Sequence, residues 1–101
     1  MVYVVQEVPG RNLLPAEKYG ELTVLLPAGQ IQLDAALAVE LLHRRLMRFD
    51  DQDYLLCIGD PVAIGLATAV AASRNYGRVK LLKWDRQEHR YYVVKANIQE
   101  N

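Results

Sequence analysis

The chain is predicted to fold as an α/β protein, a single compact domain over residues 1–101. The expected order is β-β-α-β-α-β-β, with a mixed sheet of about five strands and two helices. Three observations carry that prediction. Residues 54–58 are an apolar run with no polar alternation, the pattern of a strand covered on both faces. Gly59-Asp60-Pro61 then turns the chain abruptly, with Asp60 as N-cap and Pro61 as first helical residue, where a missing N–H costs nothing. Near the C-terminus, 78–84 and 90–96 are two strand-forming runs joined by a polar turn at 85–89, hence a hairpin.

The remaining elements follow in order. Residues 2–8 are β-branched and aromatic and form the first strand, stopped by Pro9-Gly10. Residues 11–20 contain Pro15 and no clean period, so they read as a loop or short helical turn covering the core through Leu13 and Leu14. Residues 21–26 make a second strand, ended by Pro27-Ala28-Gly29. Asp34 can cap a helix that runs to Phe49, with Ala38, Leu42, Leu46 and Phe49 on one face. Arg44, Arg45 and Arg48 gather near its C-terminal end, where cations complement the dipole. The helix that starts at Pro61 ends near Gly77, which can supply a left-handed cap. Its internal Gly65 costs about 1 kcal/mol relative to alanine and is expected where another backbone approaches, the sheet before a second subunit. The β-α-β-α-β middle calls for right-handed parallel crossovers. The outer strands extend the sheet, at least one of them antiparallel, and 97–101 are expected to fray.

Composition narrows the function classes. Hydrophobic residues make up 51% and charged residues 24%, which is a globular balance and not a disordered one. The net charge is zero, so no global field draws the protein to nucleic acid or anionic membrane. The charge is uneven, however, and the segment 74–101 is locally basic. The single cysteine, Cys57, lies inside an apolar strand and reads as a small buried hydrophobe suited to a reducing cytoplasm. The N-terminal residues lack the pattern of a signal peptide. The longest apolar stretch, 61–72, is well short of the roughly 20 residues that span a bilayer, so a soluble protein is expected.

Two places can hold a ligand or partner. Gly59 and Asp60 sit at the carboxyl end of a strand, where open α/β sheets bind ligands, and the N–H groups of Val62 and Ala63 start a helix there. Phosphate-loop and dinucleotide spacings are both missing, and the negative Asp60 opposes an anion, which favours a capping role. The hairpin is the second place. Lys80, Lys83, Arg86 and Arg90 are interleaved with Trp84 and Tyr91, a set that can grip a single-stranded nucleic acid or simply form a solvated amphipathic hairpin. His43 and His89 have no nucleophile near them in sequence, and Thr23, Thr68 and Ser73 lie outside any nucleophile motif. The acidic turn 50–53 lacks the glycine and distal glutamate of a calcium loop. No cofactor, metal or catalytic group is expected. The reading is a non-enzymatic binding protein, a homo-oligomer that acts on another macromolecule through the hairpin. The rival reading is a nucleotide- or small-anion-binding protein or an enzyme with its site at Gly59 and Asp60.

Two stretches carry a family resemblance, Asp53-Tyr-Leu-Leu-Cys-Ile-Gly-Asp-Pro-Val-Ala-Ile-Gly65 and Gly77-Arg-Val-Lys-Leu-Leu-Lys-Trp-Asp-Arg-Gln-Glu-His-Arg-Tyr-Tyr92. A looser echo is Pro9-Gly-Arg-Asn-Leu-Leu14. Over the last half of the chain the sequence resembles a family of small uncharacterised proteins of tailed bacteriophages, notably those of marine and cyanobacterial hosts. The resemblance implies a phage origin, action in the cytoplasm of an infected cell, and a host or phage macromolecule as partner. It transfers no catalytic residue.

Overall fold

The computed structural model describes residues 1–31 and 34–100. Its five strands are β1 (Val2–Gln6), β2 (Leu22–Leu26), β3 (Tyr54–Leu56), β4 (Arg78–Asp85) and β5 (Arg90–Asn97). The helices are α1 (Ala36–Arg45), α2 (Pro61–Arg74) and a 3-10 helix, η1 (Leu14–Tyr19). The strands form one mixed sheet in the order β2-β1-β3-β4-β5. β1 pairs in parallel with both β2 and β3, β3 with β4 likewise, and only the β4–β5 hairpin is antiparallel.

The connection from β1 to β2 steps to one side of β1, while β3 and β4 are added on the other side. Crossovers of one hand then place their covering elements on opposite faces of the sheet. One face packs Leu42 of α1, Leu46 just after it, and Ala63, Ala67 and Ala71 of α2 against Tyr3, Val5, Leu25, Leu55 and Val79. The other packs Ala16 of η1 against Val2, Val4, Leu56 and Leu82. β1 and β3 thus have apolar side chains on both faces, which explains their lack of alternation.

Helix α1 is shorter than its hydrophobic period predicts. The Asp34 carboxylate accepts from the N–H of Ala36 at 2.9 Å, a local turn ahead of the helix. At the other end α1 stops at Arg45 and the chain tightens, with Phe49 N–H donating to the Leu46 carbonyl at 3.0 Å. This turn swings Phe49 inward against Tyr3, with ring centroids 5.9 Å apart. Leu46 and Phe49 are buried as expected, but from a turn. Helix α2 follows the sequence closely, capped by Asp60, whose carboxylate accepts from Val62 N–H at 2.8 Å.

The tail differs from expectation. Asn97 closes β5, Ile98 N–H donates to the Gly77 carbonyl at 2.9 Å, and a Cβ on Gly77 would lie 2.6 Å from the Gln99 Cβ. Gly77, at φ +85°, is therefore held by the docked tail as well as by its backbone conformation. Asn101, the last residue of the expected frayed segment, lies outside the described residues.

Candidate functional site

The strand order reverses between β1 and β3, so the crevice at their carboxyl ends is the topological switch point of the sheet. Gly59 and Asp60 lie there, as does Gln6 at the end of β1. Gln6 is 3% exposed and fills the crevice. Its amide nitrogen donates to the carbonyl of Pro27 at 2.9 Å and to that of Gly29, and its amide oxygen accepts from Asp60 N–H at 2.7 Å. One side chain thus ties β1 to the loop after β2 and to the turn after β3. Gly59 has φ +115°, and a Cβ there would stand 2.5 Å from the Gln6 Oε1, so the glycine is required by conformation and by contact.

Asp60 is equally committed. One carboxylate oxygen accepts from Ile31 N–H at 3.0 Å and the other from Val62 N–H. These backbone donors hold its pKa below the ordinary carboxylate value. The N–H of Val62, at the start of α2, is therefore taken by the protein's own aspartate. A shallow groove of about 350 Å³ remains outside this latch, lined by Glu7, Val8, Pro9, Ala28, Gln30 and Pro61 among others. Gln6 carried no motif in the sequence. Its only signal was one amide at the end of an otherwise apolar strand.

The hairpin residues separate onto two faces. Lys83 shares its side of β4 with Val79 and Leu81, on the face that carries α2, and register places Tyr92 and Val94 of β5 beside it. Lys80, Trp84 and Tyr91 lie on the opposite face with Leu82. Tyr91, expected as a contact, is 4% exposed, packed edge-on against Trp84 at 4.9 Å between centroids. The Tyr19 hydroxyl of η1 also donates to its carbonyl at 3.1 Å. Lys80 is half-buried, its ammonium 4.1 Å from the Tyr54 ring centroid. At the hairpin end Lys83, Arg86 and Arg90 are exposed together with Glu88, and Trp84 is half-buried between Tyr91 and His89. The Tyr91 ring is covered, so the expected pair of stacking aromatics is not presented together.

At the opposite end of the sheet, a groove of about 460 Å³ joins the acidic turn 50–53 to Asn75, Arg78, Lys80 and Lys95. Arg78 grips Asp51 through two nitrogens, at 3.0 and 3.2 Å, and Asn75 donates to the same carboxylate at 2.7 Å. The arginine contact, followed by the asparagine, lowers the Asp51 pKa. Sequence separation hid this pairing. Among the described residues no cluster of His, Cys, Asp and Glu is arranged to hold a metal ion. Cys57 lies just past the end of β3 and is half-buried, not buried inside the strand as expected, because β3 ends at Leu56. Partial burial still pushes its thiol pKa up, away from nucleophilic use at neutral pH. His43 and His89 are both exposed.

The family model for phage Pam3 gp32-like proteins matches residues 1–98. The chain belongs to that family. The match takes in β1, η1 and β2, so the kinship of this Pam3 gp32-like protein extends well beyond the C-terminal half on which the resemblance was read. No curated protein and no solved structure matches the chain. Among the described residues of the Pam3 gp32-like chain, no helix is long and apolar enough to cross a membrane.

Gly65 turns out to face open space, where an added Cβ would meet nothing, and not the sheet as expected. It lies on a solvent-facing stripe of α2 with Val62, Ala69 and Ser73, and α2 carries no ionisable side chain before Arg74. On the same side of the sheet, Tyr92 and Val94 of the edge strand β5 are 37% and 40% exposed.

Proposed function

We propose that this phage protein is a non-enzymatic binding protein that acts in the cytoplasm of an infected marine or cyanobacterial host. Its partner is a phage or host protein. The working surface is the α2 side of the molecule, where Val62, Gly65 and Ala69 form an exposed stripe and Lys83 and Arg90 lie on the same side of the sheet. One observation supports this reading above others: α2 has a solvent-facing stripe but not one charge on it from Pro61 to Ser73. Solvated helix faces ordinarily carry charge, and a contiguous exposed apolar surface with a polar rim is the pattern of an interface. Lys83 and Arg90 on that side select a partner that is acidic around an apolar centre.

Photo-crosslinking from position 69 in extracts of infected cells tests the reading. A discrete crosslinked protein is expected, absent when Val62→Glu is added, with the melting midpoint unchanged. A crosslink pattern indifferent to Val62→Glu would refute it. The exposed cations around Trp84 favour a second reading, binding of single-stranded nucleic acid. In that case an oligonucleotide would quench Trp84 fluorescence, with affinity falling steeply as salt rises.

A further inference from the structure

The two edges of the sheet are treated differently. At β2, Arg45 of α1 reaches over the edge and donates to the carbonyls of Val24 at 3.3 Å and Leu25 at 2.8 Å. A charged group laid on an edge is a means of blocking further pairing. At β5 the direction of each backbone group follows from two hydrogen bonds. Cys57 N–H donates to the Leu82 carbonyl, so even-numbered residues of β4 point toward β3. Ile98 N–H donates to the Gly77 carbonyl, so even-numbered residues at this end of the chain point toward β4. Backbone direction alternates along a strand. The N–H and C=O groups of Tyr91, Val93, Lys95 and Asn97 therefore face outward. The Tyr19 hydroxyl occupies the Tyr91 carbonyl. Among the described residues nothing bonds the outward groups of Val93 or Lys95.

We infer that this edge is an interface between two copies of the chain. β5 pairs antiparallel with β5 of a second copy, related by a two-fold axis at Val94. Registers centred on each of residues 92 to 96 bring outward groups together, and the side chains choose among them. Centring on Tyr92 or Val93 would draw its central bonds or the next ones from the Tyr91 carbonyl, which Tyr19 already holds. Centring on Ala96 would leave Tyr92 opposite no residue of the strand. Centring on Lys95 would set two ammonium groups directly opposite, a destabilising arrangement. Centring on Val94 lets Val93 and Lys95 exchange N–H···O bonds with Lys95 and Val93 of the second copy. The next outward pair, Tyr91 with Asn97, stays open because the Tyr91 carbonyl keeps the Tyr19 hydroxyl, so the ladder consists of these four bonds. On the α2 side this register puts Val94 against its own copy and Tyr92 against Ala96, covering the two exposed apolar residues of β5. On the η1 side Val93 meets the aliphatic stem of Lys95. A two-fold interface closes on itself, whereas joining β5 to the Arg45-covered β2 edge would run head to tail. The inference does not rest on the proposed function, whose α2 stripe stays outside the paired strands.

The test uses the purified full chain in analytical ultracentrifugation, with cysteine crosslinking beside it. The wild-type protein should sediment at twice the 11.5 kDa chain mass. Lys95→Pro removes an outward N–H that serves no bond within the chain, and edge strands tolerate proline there. It should give a folded monomer by circular dichroism. Residues 94 form a non-hydrogen-bonded pair across the axis, with Cα atoms about 4.5 Å apart, within disulfide range. Under oxidation Val94→Cys should therefore become a covalent dimer while Tyr92→Cys, two residues away, should not. A wild-type monomer at every concentration would overturn the inference. So would a dimer that survives Lys95→Pro, or one that crosslinks through position 92 and not 94.

Discussion

Gln6 holds three separate segments of the chain together. It is a buried amide whose three hydrogen bonds reach Pro27, Gly29 and Asp60. Gln6→Ala would strand two carbonyls and one N–H and leave a void. A loss of about 2–4 kcal/mol in urea denaturation is expected. Loss within error would show that water or a shifted loop replaces the amide. Asp60, beside it, makes stability depend on pH. Its folded pKa lies below the ordinary carboxylate value of 3.8, held there by the N–H groups of Ile31 and Val62. A depressed carboxylate contributes stability above its unfolded pKa and loses it as pH falls through the folded one. Asp51, lowered by Arg78, acts in the same direction. In acid titrations followed by thermal melting, Asp60→Asn should flatten the decline below pH 3.8 relative to wild type. An unchanged acid limb would assign that decline to other groups.

Within α2, neighbours two residues apart have opposite duties. Ala67 is fully buried in the cluster shared with Val79 and Leu55, and its small size lets the helix sit close to the sheet. Ala69 faces solvent. Ala67→Leu should cost about 1–3 kcal/mol by overpacking, whereas Ala69→Leu should stay within about 0.5 kcal/mol. Comparable penalties at both sites would mean that the exposed stripe is packed against something, an oligomer included. The helix boundaries of α2 were legible in advance because Asp60, Pro61 and Gly77 mark them within one turn of chain. Those of α1 were not, since its apolar period runs on through Leu46 and Phe49 into a turn that only the packing of Phe49 on Tyr3 creates. The hairpin's facing pattern could be read by alternation, yet which face is covered depends on η1, and that places Tyr91 beneath Tyr19.

The whole molecule is a single sheet with an apolar cluster on each side, and β3 contributes to both. Leu55 enters one and Leu56 the other, and both are essentially inaccessible. Leu55→Ala and Leu56→Ala should each cost about 2–5 kcal/mol. Each should shift one common transition seen alike in near- and far-ultraviolet circular dichroism, because neither layer can unfold without the shared strand. Separate transitions would show two independent layers. The sequence by itself determined the α/β class, the capped strand–turn–helix around Asp60, the antiparallel hairpin and the burial of Leu55 and Leu56 in β3. Each of these is written in period, caps and turn residues that act over a few neighbouring positions. Only the tertiary structure decided that β1 lies between β2 and β3, that Gln6 fills the switch point, that Gly65 faces outward and that Arg45 covers one sheet edge. Those outcomes depend on which apolar surfaces meet across long separations in the chain, and β1, β2 and β3 are too alike in local character to announce their neighbours.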